Sequence, residues 1–298
     1  DAGQRQEFMR NSTRYGGWES DRIGGHTLGH YMSSLAHAYA NPEATQEQKQ
    51  AILDKINACA DGLRECQKLA KDSAYCQDGF LFGAIIDNGG TVQLEYQFDR
   101  LEGKSSIGGD WVPWYTMHKI LAGLVDVVKY TGNQNAMDTA VDLGLWVYNR
   151  VNSWDTAMKN RVLGVEYGGM NDALYDLYAL VEKDDDYRQY GDEILRAAEQ
   201  FDEINLFEQV KNGGANILNG RHANTTIPKF VGALKRYTVL GEDEEEYLKY
   251  AEAFWNMVIE HHTYITGGNS ENEHFGADDI LYGEETTVNC ETCNTYNM

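Results

Sequence analysis

Leu124-Val125-Asp126-Val127-Val128-Lys129-Tyr130 runs into Thr131-Gly132-Asn133, and a second helical stretch starts directly behind it. The apolar residues recur at helical spacing, and the Gly-Asn pair is a chain reversal. The same grammar returns twice. Leu174–Val181 leads into Glu182-Lys183-Asp184, and Leu234–Leu240 leads into Gly241-Glu242-Asp243. Tyr39-Ala40-Asn41-Pro42 reads as an earlier copy. A helix, a tight polar turn and a return helix, repeated every fifty-odd residues, predict an all-α solenoid or toroid, because each pair buries a face on its neighbours. The first helix of each copy is the more apolar, and the second the more charged, as in Glu244-Glu245-Glu246. That asymmetry predicts inner and outer rings, with function at the inner-helix ends.

Working outward, the pattern predicts helices over roughly 27–40, 46–71, 115–131, 135–152, 170–182, 185–201, 222–240 and 244–261, and one starting near 292. Residues 72–112, with Gly83, Gly89, Gly90, Gly103, Gly108 and Gly109, read as a long irregular insert. Residues 263–291 read as a second long loop, and loops of that length in a compact domain tend to carry function. The 3 prolines in 298 residues suit long helices. Length alone allows two domains or one large one.

Asp and Glu total 47 against 25 Lys and Arg, a net charge of −22, which argues against nucleic acid and against an anionic membrane surface. No apolar run approaches the ~18 residues of a membrane span. A hydrophobic share of 42% excludes disorder. The 19 Tyr and 6 Trp fit either ordinary core packing or ring stacking on sugars. The chain opens on Asp1 and stops inside an incipient helix, so both ends read as cut. Cys59 and Cys66 lie about 10 Å apart along a helix, too far to bridge. A Cys66–Cys76 bond is allowed by spacing and supported by nothing else.

Polar and aromatic residues gather at the inner-helix starts. Gly16-Gly17-Trp18-Glu19 precedes Gly24-Gly25-His26 and Gly29-His30-Tyr31. His26 and His30 share a helix face, which suits substrate contact or capping better than a metal, since no zinc-protease Glu follows His26. Trp111-Val112-Pro113-Trp114-Tyr115-Thr116-Met117-His118-Lys119 reads as a sugar platform with a polar grip, or as a helix-entry staple packed in the core. Glu166-Tyr167-Gly168-Gly169-Met170-Asn171 and Arg221-His222-Ala223-Asn224-Thr225-Thr226-Ile227-Pro228 repeat the theme. In Gly267-Gly268-Asn269-Ser270-Glu271-Asn272-Glu273-His274-Phe275-Gly276, two carboxylates and a His can supply a general acid, or form a solvated acidic loop. Glu291 and Cys293, two apart in Cys290-Glu291-Thr292-Cys293, are both legitimate zinc ligands.

These motifs, in this order and almost end to end, make the chain resemble the β-L-arabinofuranosidases, the zinc- and cysteine-dependent glycoside hydrolases with an (α/α)6 barrel. The closing Glu291-Thr292-Cys293-Asn294-Thr295-Tyr296-Asn297-Met298 and the Gly-rich loop are the most diagnostic. The resemblance implies release of terminal β-L-arabinofuranosyl residues from plant-type glycans with retention, by a zinc-held cysteine thiolate. It implies Glu273 as general acid/base, Glu291 and Cys293 as zinc ligands, and His222 as a sugar contact. It implies His118 and the Trp18–Glu19 pair as pocket wall; His26, Trp114, Glu166, Tyr167 and Asn224, from their place at the inner-helix starts, are expected as further substrate contacts. The adjacent cysteine pair that holds the family's nucleophile has no counterpart up to Met298, nor have the last barrel helices and the β-sandwich tail. Residues 1–298 are therefore expected to form the front of one barrel domain and to lack catalysis alone. The expected partner is an arabinose-containing oligo- or polysaccharide, with no nucleic acid and no membrane, and a homo-oligomer is allowed. Polysaccharide-degrading members act mostly outside the cytoplasm, so a secreted or periplasmic location is expected. An inverting hydrolase or lyase on another α/α toroid, or a non-catalytic sugar-binding subunit, is the alternative.

Overall fold

Apolar residues at three- and four-residue spacing give helices one buried stripe each, and the turns between them set how the stripes pair. The computed structural model describes residues 16–20, 22–71, 76–84, 86–88, 91–287 and 289–298, without the side chains of the 86–93 stretch; Asp1, Gly89 and Gly90 lie outside the described residues. The chain divides into two compact units, Asp1–Gln200 and Phe201–Met298.

The first unit contains helices α1 (His26–Ala40), α2 (Gln46–Lys71), α3 (Tyr96–Leu101), α4 (Pro113–Thr131), α5 (Gln134–Val151), α6 (Thr156–Leu163), α7 (Met170–Val181) and α8 (Gly191–Glu199). A short antiparallel hairpin, β1 (Ile86–Asn88) with β2 (Thr91–Gln93), pairs Asp87 with Val92. The turns behave as the repeat predicts. Gly132 takes a left-handed φ of 65° to end α4, and Asn133 caps α5 by accepting from the Ala136 N–H at 2.8 Å. Helix α1 packs on α4 and α4 on α7, while α2 packs on α5 and α5 on α8. First helices therefore line up with first helices and return helices with return helices, the two layers expected of an α/α toroid.

The α1–α4 crossing is tight because glycine makes it so. A Cβ at Gly123 would lie 2.5 Å from the Gly29 carbonyl oxygen, and a Cβ at Gly29 would fall inside the Lys119 carbonyl. Between the layers, Phe80, Phe98, Trp114, Trp146 and Trp154 form an aromatic cluster with ring centroids 4.9–6.0 Å apart. The irregular insert expected over 72–112 is more ordered than its glycines suggest. It carries α3, which is fastened to α5 through Arg150, as the Arg150 guanidinium bonds Glu95, Asp99 and Glu102 at 2.6–3.1 Å.

The second unit contains α9 (Ile204–Asn212), α10 (Ala223–Leu240), α11 (Glu245–His261) and α12 (Thr292–Asn297). Its core is Phe207, Phe230, Tyr250 and Phe254 with Ile227, Val258 and Phe275; the Phe230 and Phe254 rings stack at 4.1 Å. Helices α3, α6 and α9 are absent from the periodicity reading because each is shorter than about three turns, too few for a period to declare itself. No helix among the described residues is long and apolar enough to cross a membrane. Cys59 and Cys66 carry free thiols, pushed upward in pKa by burial.

Candidate active site

In the second unit the end of the Gly-rich loop folds onto the start of α10. Arg221 and Phe275, then Ala223 and Glu273, pair through their backbones: Phe275 N donates to Arg221 O and Ala223 N to Glu273 O, both at 2.9 Å. His222 caps α10. Its Nδ1 accepts from the Thr225 N–H at 3.1 Å, so the ring proton is on Nε2, which faces Glu273 Oε2 at 3.5 Å. Glu273 keeps 52% of its side chain exposed, so its carboxylate is free to meet a ligand.

Glu273 stands at the tip of a two-residue turn. Glu271 N donates to His274 O at 2.9 Å and His274 N to Glu271 O at 3.0 Å, with Asn272 and Glu273 between them at φ 50° and 66°. Left-handed backbone at a Glu is uncommon and costs about 1–2 kcal/mol. Such outliers concentrate where a side chain must be aimed.

The Glu291–Cys293 pair is tied to the same loop. The fully buried Asn294 donates from Nδ2 to Ser270 Oγ at 2.7 Å, and Asn297 donates to Asn224 Oδ1 at 2.8 Å. Burial and the adjoining Glu291 carboxylate push the Cys293 thiol up to about 12. Glu291 Oε2 is buried with no hydrogen-bond partner. A buried carboxylate oxygen without a hydrogen-bond partner is costly, and a divalent cation held between it and the neighbouring sulfur would relieve it. The two side chains therefore fit half of a tetrahedral zinc set. No group of three or more His, Cys, Asp or Glu is arranged for a metal among the described residues.

The first unit sorts the remaining expected contacts. Glu19 caps α1: Oε2 accepts from Gly25 N at 2.6 Å, Oε1 from Thr27 N at 2.8 Å, and His26 Nδ1 lies 2.7 Å from Oε1. Burial pushes the Glu19 carboxyl up, but these donors and the His26 charge outweigh it and hold it below the ordinary value. Trp18 is 64% exposed and meets the half-exposed Trp111 at 5.1 Å between ring centroids. Burial, helped by the Lys119 and His30 charges, holds His118 well below its usual range as a neutral imidazole, packed on the Gly168-Gly169 backbone. Glu166 is half-buried.

Two expected contacts need correcting. Trp114 is 0% exposed, enclosed by Phe98, Trp146 and Trp154, so it is a core residue and no sugar platform. Tyr167, also buried, cannot lie against a ligand in this structure. Pro113 starts α4 and turns Trp114 inward, while Trp111, ahead of the helix, stays outside. The sequence reading gave no role of their own to Ser270, Asn272 and Asn294, and took Glu271 only as one of two loop carboxylates able to supply a general acid. The one available signal was Asn272 between two glutamates, since Asn tolerates the left-handed backbone that a tight turn requires.

The sequence profile of the β-L-arabinofuranosidase GH127 catalytic domain matches residues 2–298. No curated protein sequence matches the chain. Among solved structures, a GH127 β-L-arabinofuranosidase from Geobacillus stearothermophilus T6 is similar at a TM-score of 0.59 and 13% identity, over 99% of this chain and 45% of that one. The chain thus spans just under half the length of that structure, and at this identity the likeness is one of fold, the all-α toroid architecture. With a profile match over all but one residue, the chain belongs to the GH127 β-L-arabinofuranosidase catalytic-domain family.

Proposed function

We propose that this domain serves the hydrolysis of terminal β-L-arabinofuranosyl residues from arabinose-containing glycans, with retention of configuration and with Glu273 as the general acid/base. The observation that carries the reading is the gathering, in one unit, of the exposed Glu273 carboxylate, the His222 N–H facing it, and the Glu291–Cys293 pair stitched to the same loop through Ser270 and Asn294. In this reading Glu291 and Cys293 hold zinc, and the family resemblance puts the other ligands and the nucleophilic sulfur on sequence beyond Met298. Zinc, when bound, would lower the proton affinity of a coordinated thiol and so supply a thiolate.

The chain's own residues handle the proton and the sugar. Glu273 gives its proton to the departing glycosidic oxygen as the anomeric bond breaks. It then takes a proton from the water that completes hydrolysis, the double duty of the acid/base in a retaining glycosidase. His222, fixed with its proton on Nε2, presents a donor to the sugar or to Glu273. Asn224, half-buried at the start of α10, contributes a further polar contact.

The test is release of L-arabinose from a synthetic β-L-arabinofuranoside by protein that continues past Met298. Glu273→Gln should lower kcat by about 10²–10⁴-fold. Activity that survives this substitution unchanged removes Glu273 from the role. Metal analysis of Glu291→Gln and Cys293→Ser should show reduced zinc content, and unaltered zinc in both would remove the pair as ligands.

A further inference from the structure

We propose that Glu271 is a positioning residue whose buried carboxylate aims Glu273 at the leaving-group oxygen; this rests on the reading of Glu273 as the acid/base. The loop offers two glutamates two residues apart, and their surroundings give them opposite tasks. Glu273 is exposed and faces His222. Glu271 is buried, and each of its oxygens accepts a backbone N–H from farther along the chain: Oε2 from Glu284 at 2.9 Å and Oε1 from Thr286 at 2.8 Å. Buried, and with an N–H on each oxygen, Glu271 is turned toward the chain rather than toward a substrate.

What those bonds hold is the turn itself. Glu271 is the flanking residue that closes the Asn272-Glu273 tip through the paired backbone bonds with His274, and it bridges to Asn289 on its other side. Asn272 tolerates its positive φ, but Glu273 pays about 1–2 kcal/mol for its own, so the tip keeps its shape only where the surroundings impose it. The Glu273 carbonyl is pinned by the Ala223 N–H. With Glu271 anchored on one flank and Ala223 holding the tip, the backbone beneath the exposed Glu273 side chain is held from two sides. Loss of the anchor lets the tip relax and the proton donor swing out of line, and misplacement of a reacting group by about 1 Å can cost on the order of 10²-fold.

The experiment compares kcat/KM, which reports the bond-breaking step, for two substrates of protein that continues past Met298. Methyl β-L-arabinofuranoside needs its leaving oxygen protonated; p-nitrophenyl β-L-arabinofuranoside does not. Glu271→Gln turns one acceptor into an NH₂ that meets a backbone N–H. It should lower kcat/KM about 10–100-fold on the methyl substrate and less than about 3-fold on the nitrophenyl one. The ratio between substrates does not depend on how much of the variant is folded, so a partly unfolded preparation still answers. Glu271→Asp, which keeps two acceptors on a shorter arm, should give an intermediate ratio. Equal losses on both substrates would make Glu271 a structural residue only and overturn the proposal. Glu273→Gln is run beside it. If that variant discriminates between the substrates and Glu271→Gln does not, positioning alone fails; if Glu273→Gln does not discriminate, the acid/base reading falls and takes the positioning role with it.

Discussion

Replacing Arg150 by Met should unfasten α3 from α5. The Arg150 side chain is 4% exposed and makes four bonds to three carboxylates, with the guanidinium over the Phe98 and Trp146 rings. The bond to Asp99 is cheap to lose, because that carboxylate is partly exposed and regains water. The three bonds to Glu95 and Glu102 are not, since Glu102 is 0% exposed. At about 1.5 kcal/mol for each charge-assisted bond they total roughly 4–5 kcal/mol. The donors that remain, Gln77 N on Glu95 and Lys104 and Trp154 on Glu102, trim this to about 4 kcal/mol. Met roughly fills the vacated volume, so the loss is electrostatic rather than a cavity. Urea denaturation at pH 7, followed by far-UV circular dichroism, should show that loss, and a thermal melt should fall by on the order of 10 °C. Adding Glu95→Gln and Glu102→Gln to the Met variant should recover more than half of it, because neutral amides in that pocket no longer lack a counter-charge. A single-variant loss under about 1 kcal/mol, or a further loss on neutralising the carboxylates, would refute the reasoning.

Gly29→Ala should cost about 1–3 kcal/mol, because the new methyl meets the Lys119 backbone, which has no rotamer to turn aside. Gly123→Ala strains the same crossing, and helices already pushed apart by one methyl have more room for the other, so the double variant should cost less than the sum; unchanged melts would show that α1 and α4 have room to spare. Desolvation, then the Lys119 and His26 charges, lowers His30 to about 4 from its ordinary 6.5. The unfolded chain therefore takes up a proton near 6.5 that the folded chain refuses, and stability falls as pH drops from there toward 4, with no effect of His30 above that window. His30→Asn should flatten that slope, and an NMR titration of the imidazole with a midpoint near 6.5 would contradict the assignment.

The long helices are legible in the sequence because each presents an apolar stripe over three or more turns, and Gly132, Asn133 and Gly241 mark where they stop. The aromatic cluster before α4 is where pattern reading fails. Trp111 and Trp114 look alike on paper, and the Pro113 helix start decides which of them faces inward. Arg150 illustrates a second limit: a cation in an apolar helix has no visible partner until α3 folds back on it. At the site, residue types disclose the exposed Glu273 and the Glu291–Cys293 pair, because their chemistry is carried by the side chain. The tasks of Glu271 and Asn294 stay hidden, because Glu271 accepts from the backbone N–H groups of Glu284 and Thr286 and Asn294 donates to the Ser270 hydroxyl, partners that are distant along the chain.

His222 closes the first turn of α10 with one ring nitrogen and addresses Glu273 with the other. An alanine there would report two losses as one number: a frayed helix end and a missing donor in the pocket. Asparagine separates them, since it closes the turn as well as any residue yet is too short to reach the glutamate. Whatever kinetic deficit survives in that variant belongs to the imidazole edge alone.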